Sequence, residues 1–209
     1  IKDNYTELEK EIAVVTYLIN NCTYDYDAFN SGRLDPDNHS EVGVFLNNRA
    51  VCQGYSEACQ HLLTSVGIES YIVTSSKLNH QWNIVKIDGK YYQLDVTAMD
   101  NGNYISYDCF NFSNDDEMHN EDDLTNMNLY LKCTNKDFEE FDATNYSLSL
   151  NKILKERNGS FYLTDVYDRN YKYIQLPCDK IDKYHIYNDY LYYITHNGET
   201  YSFNKFNLL

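Results

Sequence analysis

Apolar or small residues recur at three- and four-residue steps at Tyr55, Ala58, Cys59, Leu62, Leu63 and Val66. That is the buried stripe of an amphipathic helix. Gly67 supplies its left-handed stop, so the helix begins close to Cys52. Upstream, Leu8, Ile12, Val15 and Ile19 lie along one face of a first helix running from about Asn4 to Cys22, expected to pack as an outer helix. Residues 23–40 are rich in turn formers and read as a loop, ending at Ser40 as the N-cap of a short helix that holds Gly43 and Val44. Beyond Gly67 the period changes to two. Glu69–Ser75 reads as a strand, and the runs 81–87 and 90–96 flank Asp88-Gly89, a strong hairpin signal.

A two-residue turn at Asp88-Gly89 makes every opposed pair of positions sum to 177, which sets Trp82 opposite Asp95 and His80 opposite Thr97. Alternation then puts His80, Trp82, Gln93 and Asp95 on one face, with His80 and Asp95 as diagonal neighbours. Val85, Ile87, Tyr92, Leu94 and Val96 form the other face, an apolar set suited to the core.

After a turn at Asp100–Asn103 comes an acidic run over 114–123, read as a solvated loop with His119 at the surface; calcium is the alternative occupant. Asn128–Cys133 reads as a further strand and 134–150 as a polar connection. The last 59 residues hold ten of the 22 tyrosines and an internal repeat at an offset of 30. Asn158–Asp165 aligns with Asn188–Thr195, and Asn170–Tyr173 with Thr200–Phe203. Each copy reads as a two-stranded hairpin. Its tyrosines serve either sheet packing or a protein- or carbohydrate-binding surface. The fold class expected is α+β: helices packed on an antiparallel sheet over 1–140, and a small β-rich region over 151–209.

Charge narrows the partners. The net charge is −15, against phosphate backbones and so against nucleic acid as a partner. Residues 151–209 carry eight basic and seven acidic side chains, so the imbalance sits in residues 1–150 and favours neutral or cationic substrates. No stretch approaches the ~20 apolar residues of a membrane span. The six cysteines lack zinc-ligand spacing and do not read as a disulfide framework; Cys22 and Cys59 read as small core residues. Oligomeric state is not legible.

Chemistry enters with Cys52. A thiol at a helix N-terminus meets unpaired N–H groups and the positive end of the dipole, which favour thiolate. With a histidine and a carboxylate sharing one sheet face, the set suits nucleophilic catalysis: Cys52 as nucleophile, His80 as base, Asp95 as its orienter. The Cys52 backbone N–H is the first oxyanion donor. Tyr24, Gln53, Trp82 and Gln93 are further candidates for contacting substrate or oxyanion. Trp82 and Gln93 would otherwise screen the His80–Asp95 contact or simply pack. No metal or cofactor is implied.

Three segments, Ala50–Ala58, His80–Val85 and Tyr92–Thr97, resemble the three motifs of the transglutaminase-like superfamily, a papain-like cysteine fold found in bacteria. The segments Tyr17–Tyr26, His39–Arg49 and Tyr107–His119 extend the resemblance over about 5–135. It implies the same triad, acting on an amide of a protein or peptide through a thioester, as peptidase, amidase or transglutaminase. Some members use an upstream tryptophan as oxyanion donor; Trp82 is the only tryptophan here, which leaves Tyr24 or Tyr26 for that role. Family habit and a first residue other than methionine suggest an extracellular or cell-surface location, with the cytoplasm as alternative. A silent binding module acting through the tyrosine-rich region is the competing function.

Overall fold

A computed structural model describes residues 1–2, 4–32, 35–102, 104–116, 119, 124–125, 131–139, 141–142, 145–147, 150, 152–157, 160–164, 172–178, 180–187 and 189–209. The chain divides into two compact units, 1–139 and 140–209.

In the first unit, helix α1 (Glu7–Asn21) starts at Thr6, which accepts from the Glu9 backbone while the Glu9 side chain takes the Thr6 N–H, a reciprocal capping box. Its buried stripe is Leu8, Glu11, Val14, Val15 and Leu18. This differs from the expected face: Ile12 and Ile19 are only half-buried, because the stripe is rotated to bring Glu11 inside, against Asn111. Strand β1 (Thr23–Tyr24) pairs in parallel with β2 (Arg49–Ala50). The stretch expected to be loop contains helix α2 (Tyr26–Ser31), capped by the Asp25 carboxylate on the Ala28 N–H and stopped by Gly32 at φ +62°. Ser40 does not cap the next element. Its hydroxyl donates to the Asp37 carbonyl, and Gly43–Asn47 forms a π-helical turn.

Helix α3 (Cys52–Ser65) packs on β3 (Ser70–Ser75) and β4 (His80–Ile87), whose sheet order is β5-β4-β3-β6 with β5 at Lys90–Leu94 and β6 at Leu124–Thr125. The hairpin register is the expected one, from Ile87 opposite Lys90 to Asn83 opposite Leu94. Asp88 and Gly89 both take positive φ, as a tight two-residue turn requires. The strand ends sooner than expected. Asp95 leaves the ladder to cap α4 (Val96–Met99), its carboxylate accepting from the Ala98 N–H. Val85, Ile87, Tyr92, Leu94 and Val96 are all buried.

The chain then returns beside β5: Gln93 and Phe112 exchange both backbone hydrogen bonds, and the Asp95 N–H donates to the Cys109 carbonyl. In the expected strand at 128–133, residues 128–130 lie outside the described residues and 131–133 are not in a strand. Residues 117–118 and 120–123 of the acidic run also lie outside them.

The second unit holds two antiparallel sheets. One has the order β10-β9-β8-β7 (Lys172–Ile174, Ser160–Thr164, Lys152–Arg157, Tyr146–Ser147), the other β11-β12-β13 (Lys183–Tyr187, Tyr190–Asn197, Thr200–Asn207). Each copy forms the expected pair of strands, β9–β10 and β12–β13, and a further strand in front, β8 or β11, extends it to a three-stranded meander. Positions one repeat apart share the core: Phe161 and Leu191 are buried, as are Leu163 and Tyr193. All six cysteines are free, and Cys22 and Cys59 are buried. Among the described residues no helix is long and apolar enough to cross a membrane.

Candidate active site

Cys52 is the first residue of α3, presented by β2 directly before it. The Val51 N–H donates to the Asn38 carbonyl at 2.9 Å and the Asp25 N–H to the Ala50 carbonyl at 2.9 Å, so both sides of the approach are tied to backbone. Gly54, two residues on, makes this packing feasible. A Cβ there would stand 2.7 Å from the Ser40 carbonyl oxygen and 2.8 Å from the Ala50 Cβ. The helix is pinned to β4 by Asn83 Nδ2, which donates to the Ser56 carbonyl at 3.0 Å, and by Gln81 Nε2, which donates to the Ser56 hydroxyl at 2.7 Å. The thiol is buried.

The structure brings the three predicted catalytic residues together. His80, the first residue of β4, hydrogen-bonds through Nε2 to Asp95 Oδ2 at 2.7 Å, and the Cys52 side chain lies near enough to favour its charged form. With Nε2 engaged by the carboxylate, Nδ1 is the ring nitrogen left for the thiol. Burial works against a charged His80, but the nearby Asp95 and Cys52 outweigh it and the imidazole is pushed up to about 10. Asp95 is 1% exposed. Burial alone would raise its carboxyl; donation from His119, then His80 and the Ala98 N–H, instead holds it well below the usual carboxylate range.

His119 is the residue that sequence reasoning misplaced. Instead of lying on the surface, it is 2% exposed, with Nε2 at 3.0 Å from Asp95 Oδ2 and Nδ1 at 2.9 Å from Asp116 Oδ1. Its pKa is raised: burial opposes the charge, and the two carboxylates prevail. The acidic run masked this role, although Phe110 and Phe112 just upstream are an apolar signal of a segment turning inward. The Nε2 atoms of the two histidines and an Asp95 oxygen lie within 4.8 Å of one another, the spacing a small cation would need. Hydrogen bonds of 2.7 and 3.0 Å already satisfy all three, so the set is a hydrogen-bonded chain.

The remaining candidates fall out differently. Trp82 is buried, stacks on His80 at 5.7 Å between centroids and meets His119 edge-on at 4.9 Å. Its Nε1–H donates to Gln93 Oε1 at 2.7 Å, and Gln93 Nε2 donates to Asn114 Oδ1 at 3.0 Å. Both polar groups are therefore consumed inside the protein. Trp82 thus packs against both imidazoles, and Gln93 holds the indole in place. Gln53 is half-buried and donates to Glu57 Oε1 at 2.9 Å. Tyr24 stands otherwise: the Cys52 backbone N–H faces its hydroxyl, while Tyr26 is exposed and meets the Tyr24 ring edge-on at 4.8 Å. Burial, then the nearby Cys52 and Tyr26, keep the Tyr24 phenol protonated. A cavity of about 540 Å³ opens on the Tyr24 side, lined also by Cys22, Asn48 and Asp100, without reaching Cys52.

A buried thiol at a helix start, an imidazole on the adjoining strand and a carboxylate at the next helix cap define a thiol–imidazole–carboxylate protein of the α+β class. The chain belongs to the transglutaminase-like superfamily, whose family profile matches residues 1–108. Among solved structures it is similar to one described as "Crystal structure of a TGase", at 24% identity over 49% of this chain and 29% of that one, with a TM-score of 0.41. The chain spans less than a third of that structure's length. No curated protein matches it.

Proposed function

We propose that the protein acts on amides of proteins or peptides through a thioester on Cys52. The observation that carries this is the His80–Asp95 hydrogen bond of 2.7 Å with Cys52 at the start of α3 beside His80. In the first half-reaction the Cys52 thiolate attacks the amide carbonyl carbon. The negative charge gathers on the carbonyl oxygen, beside the Cys52 backbone N–H and the Tyr24 hydroxyl. The His80 imidazolium then protonates the leaving nitrogen, the C–N bond breaks, and ammonia or an amine departs. In the second half, His80 takes a proton from water or a primary amine, which attacks the thioester and releases the thiolate. Water makes the protein a peptidase or amidase, and an amine makes it a transglutaminase. Asp95 holds the imidazole and its charge through both halves. The site of action we assign is extracellular or cell-surface.

A silent binding module is the second reading. It draws on the tyrosine-rich unit, where Tyr201 and Phe203 are 71% and 72% exposed. Incubation with an N-blocked Gln-Gly peptide, followed by mass spectrometry of the Cys52 peptide, separates the two. The catalytic reading expects an acyl adduct on Cys52, discharged by water or captured by an added primary amine. An unmodified Cys52 across glutamine and peptide amides favours the silent reading.

A further inference from the structure

Asp95 does not serve His80 alone. Its Oδ2 takes the Nε2 of both His80 and His119, at 2.7 and 3.0 Å, while Oδ1 takes the Ala98 N–H. His119 has a carboxylate oxygen against each ring nitrogen: Asp95 on Nε2 and Asp116 on Nδ1. Ionised carboxylates only accept hydrogen bonds, so a ring with one at each nitrogen needs a proton on both. The surroundings suit a cation held in place. The Trp82 ring meets His119 edge-on, the Phe112 ring lies 4.5 Å away, and Asp116 also accepts the His119 backbone N–H.

We propose that His119 is a positioning residue of the catalytic relay: a buried imidazolium, held by Asp116, that shares Asp95 with His80 and offsets part of its negative charge. This rests on the reading of Cys52, His80 and Asp95 given above. His80 must both accept and return a proton in each turnover. Paired with a dry, uncompensated carboxylate, its imidazolium would hold the proton too firmly. A second cation on the same oxygen, with ring centroids 6.3 Å apart, weakens that grip. The other titratable groups facing this chain are Cys52 and Cys59 from α3, Tyr24 from β1 and Cys109 from the segment after α4. Burial raises the pKa values of Cys59, Tyr24 and Cys109, so none of the three contributes charge near neutrality.

The test is histidine ring ¹⁵N NMR across about pH 5–12 on the whole chain, wild type against His119→Gln and Asp116→Asn, a range that spans a His80 midpoint near 10 and its upward shift. In wild type, both His119 ring nitrogens should carry protons at pH 7. A unit charge at about 6 Å and an effective dielectric of about 20 is worth up to roughly two pH units. Removing it in His119→Gln should move the His80 titration upward by about one unit or more, and Asp116→Asn should move it the same way by less. A purely structural His119 would give the opposite sign, because a misplaced Asp95 lowers His80. A singly protonated His119 at pH 7, or a His80 midpoint that stays or falls in either variant, overturns the proposal. If His119→Gln does not fold, the wild-type spectrum and Asp116→Asn still decide it. None of these signals depends on turnover. A protein that forms no thioester yet titrates as stated loses the proposed function while keeping this inference.

Discussion

Glu11 offers a sharp test of how the catalytic unit is held together. It lies in the middle of the buried stripe of α1 and is fully buried, with Oε2 accepting from Asn111 Nδ2 at 2.7 Å. Among the described residues, Glu11 Oε1 and Asn111 Oδ1 have no partner. Both oxygens belong to the same pair. A proton on Oε1 would give the Asn111 oxygen a donor and turn one hydrogen bond into an acid–amide ring. Burial is the main cause that pushes Glu11 up from 4.5 to about 8; the Asn111 bond opposes this, and the neighbouring Glu7 and Asp88 add to it. Between those values the folded chain holds a proton that the unfolded chain has released. The resulting stability is complete below 4.5 and is lost as pH rises through about 8. At about 1.4 kcal/mol per pH unit, the loss from pH 5 to 8 is about 4 kcal/mol. That is a large fraction of the ~5–15 kcal/mol expected of a domain. His80, pushed up to about 10, slopes the same way at higher pH, so Glu11 must be isolated by difference. Glu11→Gln stays neutral and keeps an amide pair with Asn111. Urea unfolding of both proteins from pH 5 to 9 should show the wild type losing about 4 kcal/mol more than the variant by pH 8. Parallel curves would refute the buried, protonated carboxyl.

Two further outcomes follow from the approach to Cys52. Gly54→Ala drives a Cβ against the Ser40 carbonyl and Ala50, at 2.7 and 2.8 Å, and should cost about 1–3 kcal/mol in denaturant unfolding; an unchanged midpoint contradicts the close packing. Tyr24→Phe removes the hydroxyl beside the Cys52 N–H and should lower kcat about 100-fold with KM nearly unchanged. A rise in KM alone would make Tyr24 a substrate contact instead.

The parts of the fold legible in the sequence are those decided by local chemistry. Asp88-Gly89 dictates a two-residue turn, and simple counting then gives the whole β4–β5 register. The α3 stripe ending at Gly67 marks the helix that begins at Cys52. What escaped depends on contacts across the chain. Hydrophobic periodicity has no reason to put Glu11 inside, so the α1 face came out rotated. The apolar run through Val96 reads as strand, yet Asp95 is a good helix cap and its carboxylate takes the Ala98 N–H. His119 sits in a run of six carboxylates that resembles a solvated loop, and only the return of Tyr107–Phe112 beside β5 carries it behind Asp95. In the second unit β8 carries Lys152, Lys155, Glu156 and Arg157, too polar to register as a third strand of its repeat.

The central claim is that His80 activates Cys52. Its most direct test is the iodoacetamide labelling rate of all six cysteines by mass spectrometry at pH 6, in wild type and His80→Ala. The account predicts that Cys52, although buried, is labelled far faster than half-exposed Cys178, and that His80→Ala abolishes the advantage. Labelling of Cys52 no faster than Cys178, or an advantage that survives the loss of His80, would contradict it.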